Sequence, residues 1–479
     1  MSRHFRTAVL AAAAACALIA QPMAALAAPA GPAPTDADRQ AARALLRQLI
    51  EIPTAKGRGQ VPKLVDVLEA RLTAAGFRSE DIVRVPLEID GERTEGLIVR
   101  YAGRQTGRAP VALLAHMDVV DAARDSWETD PYKPVEKDGY LYGRGSSDNK
   151  YGVTVLVETF ARLKRAGWTP NRDLFLAFSG DEESGMLTTR KIIDHPMMRG
   201  VEYALNADAG GGAASPDGKK ISFSMQAAEK TSATFELTAT NAGGHSSAPR
   251  ADNAIYDLAD ALKAVQAISF PVEWNEITRD MAARTAREEG GAVGAALLRL
   301  LEDPTDAAAI AEMRRQPNVA NILWTTCVAT MLKAGTAENA LPPSASALVN
   351  CRILPGTPAA EVQAKIQAAV GDKISVKLVG EAVESPVSPI RKDIMAALQK
   401  AVRATHPGAV LAPSMSAGGT EGREYRRKGI PTYGAGSLVM VMPDDMRAHG
   451  SNERLPLASF DDQLTYWNVL LGEIAGNGR

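Results

Sequence analysis

The chain has 479 residues, more than one compact core comfortably holds, so about two domains are expected. Its apolar fraction of 46% and charged fraction of 23% are those of an ordinary globular protein. Lys and Arg number 54 against 56 Asp and Glu, a net charge of −2 that argues against a nucleic acid or an anionic membrane surface as partner.

Arg3 and Arg6 open the chain, an apolar run covers 8–20, and the small-x-small triplet Ala25-Leu26-Ala27 follows. This is the pattern of a secretory signal peptide, residues 1–27, removed on export to the periplasm or the medium. The run is shorter than the roughly 20 residues of a membrane-spanning helix, so no stable anchor is expected after removal. Loss of two Arg and no acid takes the net charge from −2 to −4. Residues 28–34, rich in Ala, Pro and Gly, read as a flexible lead-in.

Apolar residues recur at helical spacing over 41–50 and 61–75. Short β-rich runs follow at 96–101, 111–115, 174–178 and 203–206, with a helical pattern at 153–166 between them. This alternation predicts an α/β domain, a mixed sheet with helices on both faces, whose ligand sites gather at strand ends. From 231 the order becomes strand 231–240, helix 254–267, strands 325–332 and 346–354, helix 358–369, strand 374–379. That β-α-β-β-α-β order is ferredoxin-like. Pro386 and Pro389 mark a return, and a helix at 390–404 rejoins the first domain. The boundaries are therefore 35–228 and 385–479 for one domain in two segments, with 229–384 inserted. Cys327 and Cys351 lie in strand-like stretches at equal distance from Asn339. A hairpin there would set them opposite each other in an oxidising compartment; the alternative is two buried thiols.

Five strand-end or loop motifs carry chemistry-bearing residues. An apolar strand ends in His116-Met117-Asp118, where period two puts both polar residues on one side. Gly143-Arg144-Gly145-Ser146-Ser147-Asp148-Asn149-Lys150 precedes a helix, where an Asp is equally at home as an N-cap. Phe178-Ser179-Gly180-Asp181-Glu182-Glu183 packs three acids at a strand end, a costly arrangement unless a cation neutralises them or solvent reaches them. Asp208 ends another strand, and His449 lies in Arg447-Ala448-His449-Gly450-Ser451-Asn452-Glu453. Singly each has an ordinary structural reading. Together His116, Asp148, Glu183, Asp208 and His449 form a mixed nitrogen and oxygen set suited to zinc, with enough ligands for two ions if one carboxylate is shared.

In order and content these motifs resemble the aminoacylase, acetylornithine deacetylase, succinyl-diaminopimelate desuccinylase and carboxypeptidase G family of dinuclear zinc hydrolases. Trp127-Glu128-Thr129-Asp130-Pro131, the Gly143 to Lys150 motif and residues 325–342 look most like its carboxypeptidase S and N-acyl-amino-acid hydrolase branch. The resemblance implies a zinc-exopeptidase-like domain with an inserted lid or dimerisation domain. It implies two Zn2+ per subunit, with Co2+ or Mn2+ as substitutes: Asp148 bridges, His116 and Asp208 complete one site, Glu183 and His449 the other. Asp118 orients His116 and Glu182 is the general base. His245, in Gly243-Gly244-His245-Ser246-Ser247, helps bind the carbonyl oxygen and in dimeric relatives comes from the neighbouring subunit. Asn339, Arg352, Gly419 and Thr420 match positions that contact substrate. The implied activity is hydrolysis of an amide bond beside a free carboxylate, in a small peptide or an N-acyl amino acid. The rivals are an aminopeptidase of the same zinc clan and a non-catalytic binding homologue. Asn149 and Glu421 each stand where Asp is usual, and the helical stretch 278–316 is long for the family.

Overall fold

The computed structural model describes residues 29–104 and 107–476. The signal-peptide reading therefore falls outside the described residues. Among the latter, no helix is long and apolar enough to cross a membrane.

The larger sheet is mixed and has eight strands. Its order is Ile82–Ile89, Glu92–Tyr101, Leu174–Ser179, Val111–His116, Tyr203–Ala214, Ile221–Glu229, Leu411–Ser416, with Thr432–Val441 paired alongside Tyr203–Ala214. Val111–His116 runs parallel to both neighbours. Every residue of Val111–His116 and of Leu174–Ser179 is buried, as expected for strands covered on both faces. Alternation assigns the faces. Val111, Leu113 and Ala115 join one apolar cluster with Leu46, Leu68, Leu156, Leu398 and Phe460 from helices. Ala112 and Leu114 face the other way, against Ile192 and Tyr425.

The first helix begins earlier than its apolar spacing suggests, at Asp36, because Thr35 and Asp38 form a reciprocal capping box. The expected flexible lead-in is instead tied down. Ala30 donates to the Asn468 carbonyl at 2.8 Å, and the Asn468 amide donates to the carbonyls of Gly31 and Pro32, each at 3.1 Å.

A second sheet has four strands, all antiparallel, ordered Thr326–Ala334, Ser344–Ile353, Thr231–Thr240, Ile374–Val379. Helices Ala254–Ala267 and Ala359–Val370 cover one face and share its separate apolar cluster. Cys327 and Cys351 stand opposite each other in the ladder and are joined in a disulfide. The long helical stretch is broken by Gly290 and Gly291, both at positive φ, and continues as Gly291–Glu302, Ala307–Met313 and Pro317–Ala320. Its apolar side joins the cluster of the larger sheet, not that of the smaller one. Arg284 adds a hydrogen bond to the Pro413 carbonyl at 2.7 Å.

Candidate metal centre and active site

Three parallel neighbours deliver the first ligands at one edge of the larger sheet; two end there, and the third continues to Ala214, so Asp208 lies mid-strand and not at the strand end its sequence suggests. His116 is in register with Ser179, so the turn after Ser179 brings the acids 181–183 beside the imidazole. Asp208 lies on the next strand, Tyr203–Ala214. His116 is buried, and its Nδ1 is 2.9 Å from the backbone carbonyl of Asp118. That carbonyl, rather than the Asp118 carboxylate at 3.6 Å, is the close acceptor fixing the ring. The carboxylate accepts the backbone N–H groups of Glu182 and Glu183, both at 3.0 Å, and so holds the acidic turn.

Asp148 is the centre of the arrangement. One oxygen is 3.0 Å from His116 Nε2, and the other is 3.1 Å from His449 Nε2. His449 Nε2 also lies 2.9 Å from Glu183 Oε1, and Asp208 Oδ1 lies 3.6 Å from His116 Nε2. The Asp148–Asn149 peptide is cis, and the Asn149 amide donates to Asp208 at 2.7 Å. The structure thus brings His116, Asp148, Glu183, Asp208 and His449 together. Glu182 joins them from the other side: its carboxylate, that of Asp208 and that of Glu421 offer oxygens within 4.8 Å of one another.

The three consecutive acids have separate fates. Asp181 turns inward, accepting N–H groups from Leu187 and Thr188 at 2.7 and 2.9 Å and the Thr188 hydroxyl, and caps the helix Leu187–Ile193. Glu182 and Glu183 face the site.

Electrostatics describe a place that lacks positive charge. Burial opposes a charge on His116, yet Asp208, Asp118 and Asp148 outweigh it and hold the imidazole well above its ordinary pKa. Hydrogen bonds to Asp148 and Glu183 push His449 up to about 10. Burial lifts Asp208 to about 6, and burial with the Asp208 charge lifts Glu421 to about 8. Glu182 is raised well above the usual carboxylate range, chiefly by burial. Two imidazoles facing five carboxylates are too few cations for the charge. A mixed nitrogen and oxygen set in this state fits divalent metal ions, with Asp148 presenting one oxygen to each half.

Two site members escape a reading of the sequence in this role. Glu453 is fully buried and accepts the N–H groups of Gly145, Ser147 and Asp148 at 3.1, 2.8 and 3.1 Å, while Arg144 pairs with it at 2.6 Å. It fixes the Asp148 loop to the loop that carries His449. Glu421, which stands out in the sequence only as a departure from Asp, is buried against Asn206, whose amide donates to it at 3.0 Å. Its one signal is its place directly after Gly418-Gly419-Thr420.

The residues matched to substrate contacts form two further groups. His245 is exposed on the short strand Gly244–His245, paired with Ala340–Leu341, and its Nδ1 is 2.8 Å from the Ser247 hydroxyl. The Asn339 carbonyl accepts the Ser246 N–H at 3.0 Å, which puts Asn339 beside His245. His245 sits on this short strand pair and Asn339 in the turn just before it, whereas the metal-site set comes from the strands of the larger sheet and the loops around them. Arg352 lies on Ser344–Ile353 between Thr326 and Ser232. Burial, with the neighbouring Arg423 charge, lowers its pKa, and burial with the Arg352 charge brings Lys230 down to about 8. Three cations therefore gather there. Gly419 packs against Arg423, where an added Cβ would come 3.3 Å from the guanidinium, and Thr420 is buried.

Residues 112–473 match the model of peptidase family M20/M25/M40. The N-fatty-acyl-amino acid synthase/hydrolase PM20D1 of Xenopus tropicalis is 30% identical over 367 residues, covering 75% of this chain and 71% of that protein. A probable carboxypeptidase S-like 2 of Dictyostelium discoideum is 26% identical over 388 residues, covering 78% and 73%. The di-peptidase Dug1p of Saccharomyces cerevisiae shares the fold, with a TM-score of 0.66 at 18% identity, over 91% of this chain and 96% of that one. Fold, site chemistry and family match agree, and the chain belongs to the M20/M25/M40 family as a metal-dependent peptidase or amidohydrolase.

Proposed function

We propose that this protein hydrolyses an amide bond next to a free carboxylate, in a small peptide or an N-acyl amino acid. The observation that carries the reading is Asp148 set between His116 and His449 with Glu182 alongside. Two Zn2+ ions, replaceable by Co2+ or Mn2+, would be held by His116 and Asp208 on one side, Glu183 and His449 on the other, and Asp148 shared. When bound they supply Lewis acidity and a water ionisable near neutrality. Glu182, whose burial strengthens its hold on a proton, would as the carboxylate take the proton of the attacking water and return it to the leaving nitrogen. His245 donates a hydrogen bond to the carbonyl oxygen as charge develops there. Asn339 lies beside it and orients the same amide. Arg352 grips the substrate carboxylate, with the Gly419 and Thr420 backbone lining the place. An aminopeptidase would need an acidic clamp for the substrate amine; the cations Lys230, Arg352 and Arg423 favour a carboxylate instead. The names of the frog and slime-mould relatives, an N-fatty-acyl-amino acid synthase/hydrolase and a carboxypeptidase S-like protein, point the same way.

Residues 229–384 would act as the inserted unit that carries His245. Its edge strand Thr326–Ala334 exposes Val328, Met331 and Leu332, and the adjacent helix exposes Tyr256. An apolar sheet edge of this kind supports a homodimer through the smaller sheet. Export to the periplasm or the medium is supported by the first 27 residues and by the Cys327–Cys351 disulfide. The test of the activity is a panel of dipeptides, N-acyl amino acids and their C-terminal amides with the metal-loaded protein. The free acids are expected to be cleaved at least about a hundredfold faster, the scale of a lost charge-assisted contact left unpaired. Equal rates for acids and amides would overturn the reading.

A further inference from the structure

Glu229 ends the strand Ile221–Glu229, and the chain crosses to the smaller sheet at the next residue. It is 2% exposed, yet it belongs to neither the metal set nor the cation group. One of its oxygens accepts the Thr420 backbone N–H at 2.7 Å, the Thr420 hydroxyl at 3.3 Å and the Gln226 amide at 3.3 Å. The other oxygen is paired with the guanidinium of Arg426, itself buried. Arg426 then donates to the Ser385 hydroxyl at 2.9 Å and to the Thr432 carbonyl at 3.1 Å. Ser385 lies where the chain returns from the smaller sheet to the larger one. One carboxylate and one guanidinium therefore tie together the outgoing crossover, the returning crossover and the loop 418–420.

That loop borders the reaction site on two sides. Its next residue, Glu421, offers an oxygen within 4.8 Å of those of Glu182 and Asp208. Gly419 packs against Arg423, the charge neighbour of Arg352. The loop thus spans the interval between the acids that work on the amide and the cations that face a carboxylate. Its backbone has few ties besides Glu229: the Ser416 hydroxyl accepts the Gly418 N–H at 3.0 Å, and the Thr420 carbonyl accepts the Arg423 N–H at 3.2 Å.

We propose that Glu229 is a positioning residue that sets the 418–420 loop, and with it the distance between the substrate's carboxylate and its scissile amide. The substrate part rests on the free-carboxylate reading above. Glu229→Gln tests it. The amide keeps one acceptor but turns an NH2 toward either Arg426 or the Thr420 N–H, so one donor faces another. The experiment uses the full mature, metal-loaded protein. It measures hydrogen exchange across residues 416–422, metal content, and kcat and KM for alanyl-leucine and N-dodecanoyl-leucine with their C-terminal amides. Loop exchange is expected to rise about tenfold or more, and KM for the free acids likewise, with metal content and kcat nearly unchanged. Native loop exchange overturns the proposal and needs no substrate to be read. A loosened loop with native KM overturns it too, since the carboxylate would then be a structural tie only. If the native protein cleaves amides as fast as acids, the free-carboxylate reading fails by itself, and the exchange and KM results still decide the part of Glu229. Glu229→Asp keeps the buried charge paired but shortens the reach to Thr420, and is read in the same way if Glu229→Gln does not fold.

Discussion

Asp181, Glu182 and Glu183 are chemically near-equivalent in the sequence, and their partners make them different residues. Asp181 spends its lone pairs on a helix start, Glu183 meets His449, and Glu182 is left with burial and like charges around it. Substitution should separate the last two. Glu182→Gln is expected to retain both metals and the fold while turnover falls at least about a hundredfold, the usual scale for a general base. Glu183→Ala is expected to lose metal together with activity. Metal analysis beside a rate assay checks both, and near-native turnover of Glu182→Gln assigns the base elsewhere. His116, Asp148, Glu183 and His449 are legible because each is a polar residue closing an apolar strand or set in a turn, whereas Asp208 stands out as a lone acid after an apolar run although its strand continues to Ala214. Glu453 is not, because its partners Arg144 and Asp148 lie 309 and 305 residues away, and no local pattern encodes such a meeting. Glu229 hides for the same reason, 191 residues from Thr420.

At the scale of elements, alternation and turn chemistry read best where both signals coincide. The strand Ile82–Ile89 escapes them although Asp90 and Gly91, both at positive φ, form the two-residue connection to Glu92–Tyr101. Its half-exposed surface lacks the continuous apolar run that marks the central strands. The lead-in is ordered against expectation because composition says nothing about a distant Asn468 side chain. For the cysteines, symmetry about Asn339 leaves a bridge and two buried thiols both open; the strand register decides for the bridge, which closes a 24-residue separation in the hairpin. The Cys351→Ala chain, compared with the native one in a denaturant titration, should lose about 3 kcal/mol by the loop-closure argument. A native midpoint for that variant would mean that the strand pair needs no cross-link. Arg352 follows Cys351 directly, so KM should be followed in the same samples.

For the whole molecule, the helices from Glu276–Glu289 to Pro317–Ala320 matter most. They leave from the smaller sheet but pack into the core of the larger one. Together with the Glu229 and Arg426 knot they brace one sheet against the other. We propose that this brace opposes closure of one chain over the metals, in which case the second subunit of the proposed homodimer would deliver His245. His245→Ala is expected to cut turnover about a hundredfold or more without changing metal content, as loss of an oxyanion donor does. Mixing it with Glu182→Gln should then restore activity, because one mixed site holds both native groups. No recovery in a mixture shown to have exchanged subunits would place the histidine in the same chain. The ties between Ala30, Gly31, Pro32 and Asn468 carry one more consequence. The helix Leu457–Ala475 supplies fully buried Trp467 to the main core and clasps residues from the opposite end of the chain. The larger sheet therefore cannot complete its interior until Asn468 has been synthesised, 436 residues after Pro32, and its packing has to wait for that meeting.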